Sequence, residues 1–307
     1  MKILIISGFL GAGKTTFIQS LVKETGKDFA ILENEYGAEN IDSQRFDDRK
    51  INIWELTENC ICCSGKADLA NSVLTIANAI DPEYLIIEPT GVGKLSNIIT
   101  NLQKIQYEKI SILSPITIVD INSVHQYSKE YADLYLDQIE NSGTLILSKS
   151  ENVSNDEKQE VKNYLRTINK SCFIFTEHYS SFENTDWLNL LNKDLVGQVI
   201  KEEREAILLD SFALNDVYMD NLTTLIFFLE QLVRNEFGKI VRAKGQLKVQ
   251  EEYLQFDVSN NRYSITNFDG NTEGKVVFIG ENIDRIKIRR NFTGKYKGIK
   301  LKKIIKP

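Results

Sequence analysis

A glycine-rich segment near the start of the chain has the residue types and the spacing that bind a chain of phosphates. The segment Gly8–Thr16 reads GFLGAGKTT and fits the pattern G-x-x-x-x-G-K-[S/T]. Its glycines let the backbone curl so that successive N–H groups point inward, and the helix that follows adds the positive end of its dipole. Lys14 then reaches the β- and γ-phosphates, and the Thr15 hydroxyl ligates Mg²⁺. The residues predicted to bind the nucleotide here are Gly8, Gly11, Ala12, Gly13, Lys14, Thr15 and Thr16.

An acidic segment follows the second apolar run of the chain. Residues 33–37 read ENEYG, and their two carboxylates and one amide would face the phosphate loop from a neighbouring strand end. Because Mg²⁺ prefers oxygen ligands and keeps several waters, Glu33 and Glu35 suit a switch segment that meets the ion directly or through water. The alternative is a solvated acidic loop that turns at Gly37.

A third segment, EPTG at residues 88–91, also ends an apolar strand with an acid. This is the arrangement of a Walker B strand, in which Glu88 lies near the Mg²⁺ shell or the attacking water. The Gly91 N–H could contact the γ-phosphate and so sense the nucleotide. We therefore predict Lys14, Glu88 and Gly91 as the catalytic residues. The alternative is an ordinary strand end with a proline turn.

Three cysteines cluster between these two acidic segments. Cys60, Cys62 and Cys63 can converge on Zn²⁺, Co²⁺ or Ni²⁺, but a tetrahedral site needs one more ligand. Glu33, Glu35 or water could supply it, and Thr15 remains assigned to Mg²⁺. An open fourth position suits a site that must release its metal. The alternatives are a redox dithiol and plain apolar packing.

Residues 148–151 read SKSE, at the position where GTPases carry N-K-x-D. In that motif the acid accepts two hydrogen bonds from guanine and the lysine stem covers the ring. Glu151, one methylene longer than aspartate, could accept the same bonds if the loop adjusts. We therefore predict that Ser148, Lys149 and Glu151 bind the base, with GTP favoured and ATP as the alternative.

Alternating strands and helices must position these residues. Helical patterns cover Ala67–Ala79 and Asp156–Thr167. The apolar, strand-like runs are Lys2–Ile6, Phe29–Leu32, Tyr84–Ile87, Ile116–Val119, Gly143–Leu147 and Cys172–Phe175. Such alternation predicts an α/β P-loop fold, a mostly parallel sheet with helices on both faces, whose ligands bind at the carboxyl ends of the strands.

The pattern changes after a charged stretch near residues 197–205. One strong helix, Asn221–Glu236, precedes alternating segments that are separated by turn signals. These predict a smaller α+β domain with an antiparallel sheet. We expect a P-loop domain over residues 1–200 and a C-terminal α+β domain over residues 201–307.

Composition narrows the function classes. No apolar run reaches the length of a membrane span, and four cysteines are too few for a secreted disulfide framework, so we expect a cytoplasmic protein without a membrane partner. Residues 285–307 carry ten basic residues and no acid. Because apolar residues alternate with these charges, we interpret the tail as a terminal strand or docking edge, or as a segment that docks on its own acidic chain. We do not expect nucleic acid as a partner.

Taken in order, the motifs resemble the CobW-type family of P-loop GTPases, relatives of the nickel-inserting GTPases that mature hydrogenase and urease. The resemblance rests on GFLGAGKTT, ENEYG, CxCC and EPTG, and on VRAKG at residues 241–245 and VFIGENID at residues 277–284. It implies a GTP-dependent metallochaperone or metal-enzyme activator, in which metal at the cysteines is coupled to GTP hydrolysis. Many members carry a His-rich stretch. This chain has only His125 and His178, which suggests a client-specific activator.

The leading hypothesis is therefore a GTPase of slow intrinsic turnover that passes a thiolate-bound metal to a client metalloenzyme. A second is a nucleotide-gated chaperone that remodels a metallocofactor enzyme without carrying metal, and a third is a small-molecule kinase. Substituting Cys62 and Cys63 separates the first from the second, because only metal transfer requires the thiolates. GTP and GDP are the expected small ligands, and a monomer or a nucleotide-dependent homodimer is expected.

Overall fold

The computed structural model describes residues 1–33, 52–55, 66–195, 199, 209–259, 261–268 and 273–294, with only the backbone described at 52–55 and 66–68. These residues form two compact units, one running through residue 199 and the other starting at residue 209. Within those ranges, no helix combines the length and the apolar character that crossing a bilayer requires.

The first unit is built on a parallel sheet. Its described strands are β1 (Lys2–Ser7), β2 (Phe29–Glu33), β3 (Asn52–Glu55), β4 (Tyr84–Glu88), β5 (Ser111–Ile112), β6 (Ile116–Asp120), β7 (Thr144–Ser148) and β8 (Phe173–Phe175). Their order across the sheet is β3-β2-β4-β1-β6-β7-β8, and β5 pairs with the start of β1. Since every pair is parallel, all the carboxyl ends lie along one edge of the sheet.

Helices cover both faces of this sheet. Those described are α1 (Lys14–Thr25), α2 (Lys66–Ala79), α3 (Leu95–Gln103), α4 (Val124–Glu130), α5 (Ala132–Glu140), α6 (Asn155–Ile168) and α7 (Asn184–Leu190). Leu4 and Ile6 of β1 belong to a buried cluster that includes residues of α1 and α7. Ile3 and Ile5 point the other way, into a cluster with residues of α2 and α3. The predicted doubly covered α/β fold is therefore confirmed.

The second unit is a mostly antiparallel sheet with one main helix, as the alternating segments predict. Its described elements are β9 (Asp210–Asn215), β10 (Val217–Met219), α8 (Leu222–Val233), β11 (Lys239–Val249), β12 (Glu252–Ser259), β13 (Arg262–Asn267), β14 (Lys275–Glu281), α9 (Arg285–Arg289) and β15 (Thr293–Gly294). Strand β11 lies between β12 and β14, with antiparallel pairing to both. The apolar face of α8 packs into the core of this unit, through Leu225, Phe228, Leu229 and Leu232.

The basic tail is described as far as Gly294. Its first residues form α9. They contact β9 of the same unit, where Arg285 makes an ion pair with Asp210. The guanidinium carbons of Arg285 and Arg289 lie 5.6 and 5.1 Å from the centre of the Phe212 ring. This part of the tail thus docks on acidic and aromatic groups of its own chain. Residues 295–307 lie outside the described part.

Candidate functional site

The phosphate loop runs from β1 to α1 through glycines whose backbone angles other residues rarely adopt. Gly8 has φ +149°, and a Cβ atom there would lie 2.5 Å from the carbonyl oxygen of Ile118 on β6. Gly11 has φ +74°, and Gly13, with φ +97°, immediately precedes the start of α1 at Lys14. The N–H groups that begin α1 at Lys14 therefore open onto the loop, which is the arrangement that binds an anion.

Lys14 and Thr15 are each held by a side-chain hydrogen bond. The buried Lys14 Nζ donates a 3.0 Å hydrogen bond to the Gly8 carbonyl, which keeps the ammonium inside the curve of the loop. The Thr15 hydroxyl donates to Glu88 at the end of β4, at 3.1 Å to Oε1 and 3.3 Å to Oε2. A hydroxyl beside a carboxylate is a set of hard oxygen donors and fits Mg²⁺.

Acidic residues lie side by side at the carboxyl ends of three neighbouring strands. Glu33 of β2 pairs in register with Glu88 of β4 on one side and with Glu55 of β3 on the other. Glu33 is buried, with 6% of its surface exposed. The backbone register thus brings Glu55 into the row, which sequence analysis missed because the pairing of β3 is not encoded locally. Its carboxylate position is not described.

Gly91 touches the phosphate loop directly. A Cβ atom at this residue would lie 2.6 Å from the Leu10 backbone nitrogen and 2.9 Å from the Phe9 carbonyl carbon. Only a glycine lets the two backbone segments approach this closely. The predicted catalytic glycine is therefore next to the loop, together with Lys14, Thr15 and Glu88.

The segment predicted to bind the base is joined to the phosphate loop by a side chain. The buried Ser148 hydroxyl donates a 2.7 Å hydrogen bond to the Ala12 carbonyl. Lys149 has φ +56°, and its Nζ lies 2.7 Å from Oδ2 of the buried Asp120, at the end of β6. Half-exposed Glu151 lies 3.3 Å from His178 Nε2. Sequence analysis missed Asp120 and His178, because both contacts join residues that are far apart in the chain.

Several predicted residues fall outside the described part of the chain: Cys60, Cys62, Cys63 and Glu35. Among the side chains that are described, no group of three or more suits a metal ion. Thr16 is described and is exposed on the first turn of α1.

Two residues away from the site are a surface histidine and a buried cysteine. His125 is on the surface of α4, with its ring centre 4.6 Å from that of Tyr164. Cys172 is buried, and this burial raises the pKa of its thiol. An uncharged buried thiol is a core residue.

The sequence matches the models of two protein families. Residues 2–176 match the CobW/HypB/UreG nucleotide-binding domain, and residues 211–294 match the cobalamin synthesis protein CobW C-terminal domain. The chain is similar to the zinc chaperone YjiA of Escherichia coli, with 25% identity covering 96% of this chain and 98% of the relative. It is 26% identical to zinc-regulated GTPase metalloprotein activator 1 of Dictyostelium discoideum over 55% of this chain and 44% of the relative. The Zn(II)-bound crystal structure of the E. coli YjiA GTPase superposes with a TM-score of 0.48 and 20% identity, covering 95% of this chain and 97% of that one.

Proposed function

This chain belongs to the CobW/HypB/UreG family and is a P-loop GTPase, and from that premise we propose that it is a metallochaperone that activates a client metalloenzyme. GTP binding and hydrolysis would be coupled to the transfer of a divalent metal held by cysteine thiolates. The relatives described as zinc chaperones and as a zinc-regulated activator support Zn²⁺ as the first metal to test. Co²⁺ and Ni²⁺ remain the alternatives, because thiolates bind them as well.

The observation that carries the proposal is the pairing of Glu33 with Glu88. Glu88 accepts the hydrogen bond from Thr15 of the phosphate loop, and Glu33 lies beside it on the next strand. Glu33 is also the candidate metal ligand with a described position. If a change at the nucleotide moves Glu88, the neighbouring strand carries Glu33, which we assign to the cargo metal. Such a short connection is what coupling between two ligands needs.

In the proposed reaction the protein acts through position and charge. Lys14 would neutralise the β- and γ-phosphates, and Thr15 and Glu88 would hold Mg²⁺, which supplies further positive charge at the γ-phosphate. The Gly91 N–H would donate to the same phosphate, and Glu88 is also placed to orient the attacking water. Since no side chain acts as a strong general base in this assignment, we expect slow turnover by the isolated protein.

The base would be read by the segment at residues 148–151. Glu151 would accept hydrogen bonds from guanine N1 and N2, and the Lys149 stem would cover the ring. Ser148, whose hydroxyl bonds to Ala12, would hold this segment against the phosphate loop. With these roles, the site would bind GTP more tightly than ATP.

Cys60, Cys62 and Cys63 would bind the cargo metal, with Glu33 or Glu35 completing the ligand set in one nucleotide state. Hydrolysis drives transfer only if the two nucleotide states bind the metal with different affinity. Withdrawal of a glutamate ligand when the γ-phosphate leaves would lower the affinity and release the metal to the client.

The test is a titration of Zn²⁺, Co²⁺ and Ni²⁺ into reduced protein that holds Mg²⁺ with either a non-hydrolysable GTP analogue or GDP. We expect metal affinities that differ by about tenfold between the two states, within the range typical of coupled sites. Co²⁺ should give the charge-transfer absorption of thiolate ligation, and the double substitution Cys62→Ser/Cys63→Ser should abolish it. Cys172→Ala is the matched control and should leave the signal intact.

Equal affinities in the two nucleotide states, or a thiolate signal that is absent, would contradict metal transfer. The remaining hypothesis would then be a chaperone that remodels its client without carrying metal. Activation of the client by the Cys62→Ser/Cys63→Ser variant would support it.

A further inference from the structure

A buried glutamine on α5 holds the glycine loop that follows β4. The Gln138 side chain is fully buried, and its amide nitrogen lies 3.0 Å from the Gly91 carbonyl and 3.0 Å from the Gly93 carbonyl. Both amide hydrogens are thus donated to the backbone of one loop. Nothing in the sequence pattern marked this residue, because an isolated glutamine in a helix is usually exposed.

The loop that Gln138 holds is fixed by backbone contacts, because its two glycines have no side chains to pack. Gly91 and Gly93 lack side chains, so their φ and ψ angles are restricted only by what surrounds them. The Gly93 N–H donates back to the Thr90 carbonyl at 3.0 Å, which closes a tight turn. Gln138 adds a restraint from outside that turn, and it fixes the Gly91 carbonyl while the other side of Gly91 lies against Leu10.

Two neighbouring acids on α5 anchor the residues just after this loop. Asp133 pairs with Lys94, and an Asp137 carboxylate oxygen accepts a 3.0 Å hydrogen bond from the Ser96 N–H. Both acids are buried. These contacts position the start of α3, whereas Gln138 is the member of this set that reaches the glycines themselves.

The same helical region also packs against the phosphate loop. The Phe9 ring has its centre 4.5, 5.0 and 5.9 Å from those of Tyr127, Tyr131 and Tyr135, on α4, between the helices and on α5. All four rings are buried. Helix α5 therefore contacts both the phosphate loop and the Gly91 loop, and it can set the distance between them.

We propose that Gln138 is a positioning residue for GTP hydrolysis, which holds the Gly91 loop so that the Gly91 N–H meets the γ-phosphate. This inference rests on the role proposed above for Gly91. Gln138 does not touch the nucleotide in this assignment. It acts by restricting a glycine loop, so its removal would affect the step that uses the γ-phosphate and spare the binding of GDP, which lacks that group.

The test compares Gln138→Met, which keeps the length and loses both donors, with Gln138→Glu, which keeps the shape and sets a carboxylate against two carbonyls. Asn169→Ala is the matched control. Asn169 is also a buried amide, and its nitrogen donates to the Ile139 and Ser142 carbonyls at the end of α5 without contacting the Gly91 loop. Single-turnover GTP hydrolysis, GDP affinity and thermal stability are measured for each full-length variant.

We expect hydrolysis to fall at least about tenfold in both Gln138 variants, while GDP affinity changes less than about twofold. Asn169→Ala should lower the melting temperature. At temperatures below that melting point, it should hydrolyse GTP at the wild-type rate. The inference is overturned if hydrolysis in both Gln138 variants falls no further than in Asn169→Ala, or if GDP affinity falls by the same factor as hydrolysis. Because hydrolysis is measured without cargo metal, this result is independent of the metal titration, and either proposal can fail alone.

Discussion

The two ends of the nucleotide site are built from different parts of the polypeptide. At the phosphate end the geometry is set by backbone: Gly8, Gly13 and Gly91 allow approaches and angles that a side chain would prevent. At the end that we propose binds the base, it would be set by the side chains of Ser148, Lys149 and Glu151, of which only Lys149 has a positive φ, +56°.

This difference explains why one end keeps its motif and the other departs from it. The backbone N–H groups surround a phosphate only when the loop follows one particular path. A Cβ atom that blocks this path cannot be accommodated elsewhere. A side-chain hydrogen bond can be made by another group of suitable length. The Ser148 hydroxyl illustrates this, since it reaches the Ala12 carbonyl from the position where N-K-x-D has asparagine. We therefore expect substitutions at the phosphate end to have the larger effects.

The largest effect is expected for Gly8→Ala. Its Cβ would meet the Ile118 carbonyl oxygen at 2.5 Å, so the loop must move, and its N–H groups would no longer converge. GTP and GDP affinity should both fall at least about 100-fold, since several charge-assisted hydrogen bonds are lost together. Isothermal titration measures this.

Gly26→Ala is the control for that experiment. Gly26 also has positive φ, +58°, at the end of α1, but nothing lies within 4 Å of its added Cβ. It should cost about 1 kcal/mol of stability through backbone strain and leave nucleotide affinity unchanged. Equal losses in the two variants would mean that backbone strain, and not the close approach at Gly8, determines binding.

A smaller and selective effect is expected for Glu151→Ala. Adenine lacks the two donors that the carboxylate would accept from guanine, so GTP affinity should fall about tenfold while ATP affinity stays constant. The factor is modest because Glu151 is half-exposed and its hydrogen bonds compete with water. Competition between labelled GTP and unlabelled ATP gives the ratio directly.

Glu177→Ala supplies the comparison for Glu151. Glu177 is an exposed acid after β8 that pairs with Lys158 at 2.8 Å. Its replacement by alanine should leave the ratio of GTP affinity to ATP affinity at the wild-type value. If Glu151→Ala also leaves the ratio unchanged, base selectivity does not come from residues 148–151.

Much of this site could be predicted from local patterns, and the remainder depends on pairings between distant segments. The strands that end at Glu33 and Glu88 were predictable, because each is a short apolar run closed by an acid. Neither the register that brings Glu55 beside Glu33 nor the burial of Gln138 leaves a local signal. A parallel strand pair is separated by a crossover, so its register is decided by packing in three dimensions.

The smallest effect that still distinguishes the two ends is expected for Ser148→Ala, since Ser148 connects them. Removing its hydroxyl leaves the Ala12 carbonyl without that donor, which costs about 1 kcal/mol, or about fivefold in affinity if the cost falls on the bound loop. Because Ser148 acts on the phosphate loop, GTP and ATP affinity should fall together, unlike in Glu151→Ala. Ser150→Ala, a buried serine two residues away with a 3.4 Å bond to its own segment, is the control and should change neither affinity. If only GTP affinity falls, Ser148 contributes to recognition of the base and not to the phosphate loop.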